Sequence, residues 1–128
     1  MAQKECILIV EDNGLVADAL KLWLQEFGYS TCHIATTAQE AIEAAAAYRP
    51  VLTFMDLKLG GNGDGVDAAK QIHTIHGCAI IFLTGDTRPE ATHRMLEDRP
   101  AAILKKPFSE AELKRALAQV SIKLPSGS

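Results

Sequence analysis

The sequence predicts an α/β fold, a doubly wound parallel sheet of five strands flanked by five helices. Two observations carry the prediction and a third locates the working end. Short apolar runs alternate with segments of helical periodicity five times over, the β-α order that builds a parallel sheet with helices on both faces. Four of the five runs are almost wholly apolar, as strands covered on both faces are. Glu11, Asp12, Asp56, Thr84 and Lys106 each stand just past the end of such a run, where the ligand crevice of an open α/β sheet lies.

The elements follow in order. The first run, 6–10, holds Ile7-Leu8-Ile9-Val10. The helix predicted over 14–27 sets Val16, Leu20, Trp23 and Phe27 on one stripe, with Ala19 and Leu24 beside it. Gly28 suits the position just after its end. The second run, 30–34, is the most polar and suits a sheet edge. The second helix, 38–48, has capping-box spacing in Thr37 and Glu40 and is stopped by Pro50. Run 51–55 precedes Asp56, and a third helix over 66–75 turns Val66, Ala69 and Ile72 inward. Run 79–83 precedes Thr84. A fourth helix over 88–98 has Pro89 in its first turn and Pro100 beyond its end. Run 101–104 leads to Lys106. The last helix starts at Ser109, with Glu112 three residues on, and buries Leu113, Ala116, Leu117 and Val120.

A chain of 128 residues suits one domain with a real core. We expect that domain over 1–122, followed by a flexible polar tail over 123–128. The formal net charge of -3 gives no general attraction to nucleic acid or to an anionic membrane. Cys6, Cys32 and Cys78 are odd in number and form no Cys-x-x-Cys. They read as small buried hydrophobes in a reducing compartment. The first residues lack an apolar signal region and no stretch approaches the length of a membrane span. The expectation is a cytoplasmic protein.

Three acids gathered beside one lysine are expensive, because like carboxylates repel. They suit a divalent cation and a phosphoryl group. The glycine-rich stretch from Gly60 to Gly65 is not a P-loop, since no Lys-Ser/Thr follows, and it lacks the twelfth-position Glu of an EF-hand. It reads as a flexible turn. His73 and His76 share a helical spacing but have no third ligand nearby in sequence, so surface histidines are the reading there.

These positions together resemble the receiver domain of two-component response regulators. The resemblance runs from Ile7 to about Val120 and rests on the pair Glu11-Asp12, on Asp56, on Thr84-Gly85 and on Lys106-Pro107. It implies the flavodoxin-like strand order 2-1-3-4-5. It implies that Asp56 is the phosphoacceptor, that Thr84 and Lys106 bind phosphoryl oxygens, and that Lys106-Pro107 is cis. It implies that Glu11, Asp12, Asp56 and the backbone carbonyl of Lys58 hold Mg²⁺. A histidine kinase or histidine phosphotransfer protein would be the donor, docking by analogy at the first helix near Gly14, Leu15 and Asp18. The output would be a changed surface for a downstream protein, by analogy the face made by the fourth helix, fifth strand and fifth helix, which is also a possible homodimer contact. That face carries Arg88, Arg94, Asp98, Arg99, Lys114 and Arg115. The chain is then a stand-alone signalling phosphoacceptor rather than an enzyme.

The sequence departs from the family at Ile103, where an aromatic ring usually stands. Isoleucine cannot hydrogen-bond and is stiff at χ1. An alternative is therefore a receiver-like interaction module that acts without phosphorylation. Haloacid-dehalogenase-type phosphatases also place an Asp at a strand end, but need a second Asp where this chain has Lys58. A flavodoxin-like FMN binder is disfavoured by the anionic loop Glu11-Asp12-Asn13-Gly14. Lys58 and Asp86, each two residues past a site residue, are expected to attract one another over the phosphoryl group.

Overall fold

The computed structural model describes residues 5–59 and 64–120. The expected tail and most of the glycine-rich turn lie outside these residues. Five parallel strands, β1 (Ile7–Val10), β2 (Thr31–Ala35), β3 (Leu52–Asp56), β4 (Ala79–Thr84) and β5 (Ala102–Lys105), pair in the order β2-β1-β3-β4-β5. Between and after them run α1 (Gly14–Glu26), α2 (Ala38–Tyr48), α3 (Gly65–Ile75), α4 (Pro89–Glu97) and α5 (Glu110–Ala118). The sheet and its order are those the sequence predicts.

Side chains alternate across each strand, so the sheet feeds two cores. Leu8, Val10, Met55, Ile80 and Phe82 face α2, α3 and α4, where they meet Ala41, Val66, Ile72 and Met95. Ile7, Ile9, Phe54, Ile81 and Leu83 face α1 and α5, where they meet Leu20, Leu24, Leu113 and Leu117. Each such fully buried side chain is worth about 1.5–3 kcal/mol of transfer free energy. The paired cores fix the strand ends relative to one another.

Local signals behave mostly as expected. Gly28, at φ 96°, follows the Phe27 cap of α1. Pro89 opens α4. Ser109 and Glu112 form a complete capping box on α5. Three details differ. Thr37 accepts the Glu40 N–H at 3.1 Å, but the Glu40 carboxylate turns to the Thr36 N–H at 3.0 Å and to His33 at 2.8 Å. The capping box of α2 is therefore only half closed. The core face of α1 is Ala17, Leu20 and Leu24, and Ala19 is exposed. Of the expected stripe, Leu20 is fully buried, Trp23 and Phe27 pack partly buried against the same core, and Val16 is only partly buried. The residue ending α2 is Arg49 in the left-handed region at φ 48°, a conformation more at home in glycine.

The cysteine reading needs correction. Cys6 and Cys32 form a disulfide, with Cα atoms 5.3 Å apart. The β1–β2 register explains the meeting: Ile7 pairs with Thr31 and Leu8 with His33, so Cys32 is skipped in the ladder and lies beside the residue preceding β1. Only Cys78, buried and 3.4 Å from the Thr53 hydroxyl, is free. Among the described residues no helix is long and apolar enough to cross a membrane.

Candidate functional site

The carboxyl ends of β1, β3, β4 and β5 converge on an open pocket of about 490 Å³. Asp12, Asp56, Lys58, Thr84 and Lys106 line it. Glu11 lies beneath, almost wholly buried, and offers an oxygen to a cluster with Asp12 and Asp56 in which ligand atoms fall within 4.8 Å of one another. Every site residue expected from the sequence is thus at or under one pocket. An all-oxygen set of three carboxylates fits a hard divalent cation such as Mg²⁺.

Each side chain is held by its element. Asp56 ends β3 and is 5% exposed. Its backbone is covered by Gly65, the first residue of α3, where a Cβ would run into the Asp56 carbonyl. Asn13 caps α1 by accepting the Leu15 and Val16 N–H groups, and its own N–H donates to Glu11 Oε2 at 3.1 Å. That turn presents Asp12 to solvent while keeping Glu11 inside. The Lys106 N–H donates to the Thr84 carbonyl at 2.8 Å, continuing the ladder beyond β4 and β5. The Lys106-Pro107 bond is cis.

Lys106 Nζ lies 2.7 Å from Glu11 Oε1 and 3.2 Å from Asp56 Oδ1. Burial, then the neighbouring Glu11 carboxylate, push the Asp56 carboxyl up to about 7, against the pull of Lys106. Burial works against the lysine charge, but the two carboxylates outweigh it and raise the Lys106 pKa. The site is a compressed set of charges that a cation would relieve.

Thr84 Oγ1 accepts the Asp86 N–H at 2.8 Å. Asp86 makes no ion pair with Lys58 within 4.0 Å, and the attraction of Lys58 is the smallest of the causes that lower its pKa. Its carboxylate is taken by Arg88, at 2.7 Å from Nη2 and 3.0 Å from Nε, and those bonds hold it down at about 2. Lys58 makes no ion pair within 4.0 Å among the described residues. Sequence reasoning placed Arg88 on the output face and missed it as a pocket residue. A cation two residues after an acid beside the site was the available signal. The histidines are engaged elsewhere: His76 Nε2 is 2.7 Å from the Pro50 carbonyl, and His73 is 3.4 Å from Asp98.

A profile of the response regulator receiver domain matches residues 7–118. The chain belongs to the response regulator receiver family. It is 36% identical over 107 residues to the transcriptional regulatory protein PdtaR of Mycobacterium tuberculosis, a match covering 84% of this chain and 52% of that protein. It is 30% identical over 114 residues to the phyllosphere-induced regulator PhyR of Methylorubrum extorquens, covering 88% and 42%. The chain therefore spans about half the length of these relatives. The signal receiver domain of a modulated diguanylate cyclase from Desulfovibrio desulfuricans G20 superposes with a TM-score of 0.82 at 31% identity, covering 89% of this chain and 90% of that one. A CheY-like receiver domain protein from Methanospirillum hungatei JF-1 gives 0.79 at 26% identity, covering 90% and 95%. As a receiver domain, the chain carries the fold and the acidic pocket of two-component signalling.

Proposed function

We propose that this receiver accepts a phosphoryl group on Asp56 from a histidine kinase or histidine phosphotransfer protein, with Mg²⁺, and signals through a changed protein-binding surface. The observation that carries the reading is Asp56 itself, a buried carboxylate 3.2 Å from Lys106 Nζ, beside Glu11 and Asp12 and open to the pocket that Thr84 lines. An Asp56 oxygen forms the new P–O bond as the donor's P–N bond breaks. Lys106 meets the charge on the transferring oxygens, and the Thr84 hydroxyl donates a hydrogen bond to another. Glu11, Asp12, Asp56 and the Lys58 carbonyl would hold Mg²⁺, which when bound offsets the repulsion between carboxylate and phosphoryl group. The chain is a phosphoacceptor, promoting only its own phosphorylation and dephosphorylation.

The donor docks on the apolar groove between α1 and the β5–α5 loop. Leu15, Val16, Trp23, Pro107 and Phe108 line it beside Lys106, and Leu15 is 83% exposed. That groove opens next to the phosphoacceptor pocket, since Lys106 borders both. One observation favours a second reading, a module that acts without phosphorylation: Ile103 is half-buried in the α2–α4 core and has no group with which to answer Thr84.

Incubation with Mg²⁺ and acetyl phosphate, read by intact mass beside Asp56→Asn and a metal-free control, tests the proposal. One phosphoryl adduct that needs both Asp56 and Mg²⁺ supports it. Absence of an adduct together with failure to form a beryllofluoride complex leaves the second reading.

A further inference from the structure

Asp64 joins the phosphoacceptor strand to α4. It forms an antiparallel bridge with Lys58, two residues past Asp56. The next residue, Gly65, donates its N–H to the Leu57 carbonyl at 2.9 Å and sits against the Asp56 carbonyl. Backbone 56–58 is therefore tied to Asp64 and Gly65 by backbone contacts on both.

The two carboxylate oxygens of Asp64 face different helices. Oδ1 caps α3, accepting the Val66 N–H at 2.8 Å and the Asp67 N–H at 3.3 Å. Oδ2 accepts from Arg94 Nη1 at 2.9 Å, and Arg94 Nη2 is also 3.9 Å from Asp67. Arg94 lies in the second half of α4. Where α3 and α4 end, His73 Nδ1 is 3.4 Å from Asp98 Oδ2. So α4 is laced to α3 at two places, and one lace ends on the residue fixed to the Asp56 loop.

The Arg94–Asp64 pair is half-exposed, with side chains 47% and 34% accessible. Such pairs add little to stability. A pair of this strength is easily made and broken, which suits a coupling element better than a brace. The ring that usually answers Thr84 in the family is Ile103 here, so a link from the other side of the pocket has work to do.

We propose that Arg94 is a positioning residue that reports the state of Asp56 to α4, acting through Asp64. Phosphorylation shifts backbone 56–58, Asp64 moves with it, and the Arg94 tether releases or resets α4. This rests on the phosphoacceptor reading above and names its output route.

The test is amide exchange across α4 in the full chain, with and without beryllofluoride and Mg²⁺. The variants are Arg94→Gln, Arg94→Lys, Asp64→Asn and the double variant Asp64→Asn/Arg94→Gln. Asparagine keeps the cap on α3 while removing the charge. Intact mass after acetyl phosphate first shows that each protein takes the phosphoryl group. The expected result is a beryllofluoride-induced change over 89–97 that falls about threefold or more in Arg94→Gln and in Asp64→Asn. The double variant should fall no further, and Arg94→Lys should recover part of the change. An α4 response of wild-type size in both single variants overturns the proposal, as does a wild-type α4 that ignores bound beryllofluoride. A wild-type chain that neither takes the phosphoryl group nor binds beryllofluoride overturns the phosphoacceptor reading instead, and this one with it.

Discussion

Gly65 lies against the backbone carbonyl of Asp56, so close that no Cβ fits between them. The first residue of α3 is thereby a spacer for the phosphoacceptor strand. Gly65→Ala should destabilise the fold by about 2 kcal/mol through overpacking against backbone. Gly77, with nothing within 4 Å of an added Cβ, is the control; Gly77→Ala should stay within about 0.5 kcal/mol. Urea midpoints for the two variants check the contrast.

The raised pKa of Asp56 makes stability depend on pH. In the folded chain burial and the neighbouring Glu11 push its carboxyl up to about 7, from an ordinary value of 3.8. Stability from this group is complete below the unfolded value and is lost as pH rises through the folded one. Asp56→Asn cannot ionise and so escapes that loss. At pH 8, without metal, it should be more stable than wild type by roughly 1–3 kcal/mol. Near pH 4 the two should match. Denaturant curves at both pH values decide it, and equal stability at pH 8 would remove the buried-charge account.

The same carboxyl sets a proton against a metal. A ligand must be deprotonated to bind, so Mg²⁺ affinity should fall by about tenfold per pH unit below the Asp56 value of about 7. Calorimetric titrations at pH 6 and 8 measure this. Affinity that ignores pH would take Asp56 out of the ligand set.

Lys106 is the cation within reach of both Glu11 and Asp56. Lys106→Met should lower stability at pH 8 by about 1–3 kcal/mol, because a buried acid pair is left without its partner. Added Mg²⁺ should return more of the thermal midpoint in the variant than in wild type, while adduct formation from acetyl phosphate slows. Equal metal-induced shifts would show that Lys106 and the cation do not compete for the same charge.

Leu15 stands almost fully exposed at the rim of the α1 groove. Leu15→Asp should slow phosphotransfer from a protein donor by about tenfold, the scale of an interface residue that matters. Its rate with acetyl phosphate should be unchanged. Loss with both donors would point to a folding defect.

The strand ends were legible because their chemistry is unusual there: an acid or lysine after four apolar residues has few reasons to exist. The helices were legible where caps and prolines mark them, as at Ser109 and Pro89. What escaped depended on three-dimensional neighbours. The stripes through Val16 and through Ala17 share Leu20 and differ by a small rotation that only packing chooses. The Glu40 carboxylate is drawn from its capping box by the Thr36 N–H and by His33, on the neighbouring strand. Arg49 adopts a glycine-like conformation that its identity does not announce. The role of Gly65 needed the Asp56 carbonyl to be placed first. Cys6 and Cys32 meet because one residue is skipped in the β1–β2 ladder, and no spacing in the chain encodes that slip.

The Cys6–Cys32 bond gives the sheet a closed flank and an open one. It ties the edge strand β2 to the segment entering β1 across 26 residues of chain, a closure worth about 3 kcal/mol against unfolding. β5, at the opposite edge, has no such tie. Partial opening is therefore expected first on the β5 side, which faster amide exchange over 102–105 than over 31–35 would show. Such an opening carries Lys106 away while Glu11 and Asp12 stay in place on the stapled half. The acids and the lysine of one site thus belong to halves of unequal persistence, and a brief excursion of the β5 flank leaves the carboxylates with only a metal to neutralise them.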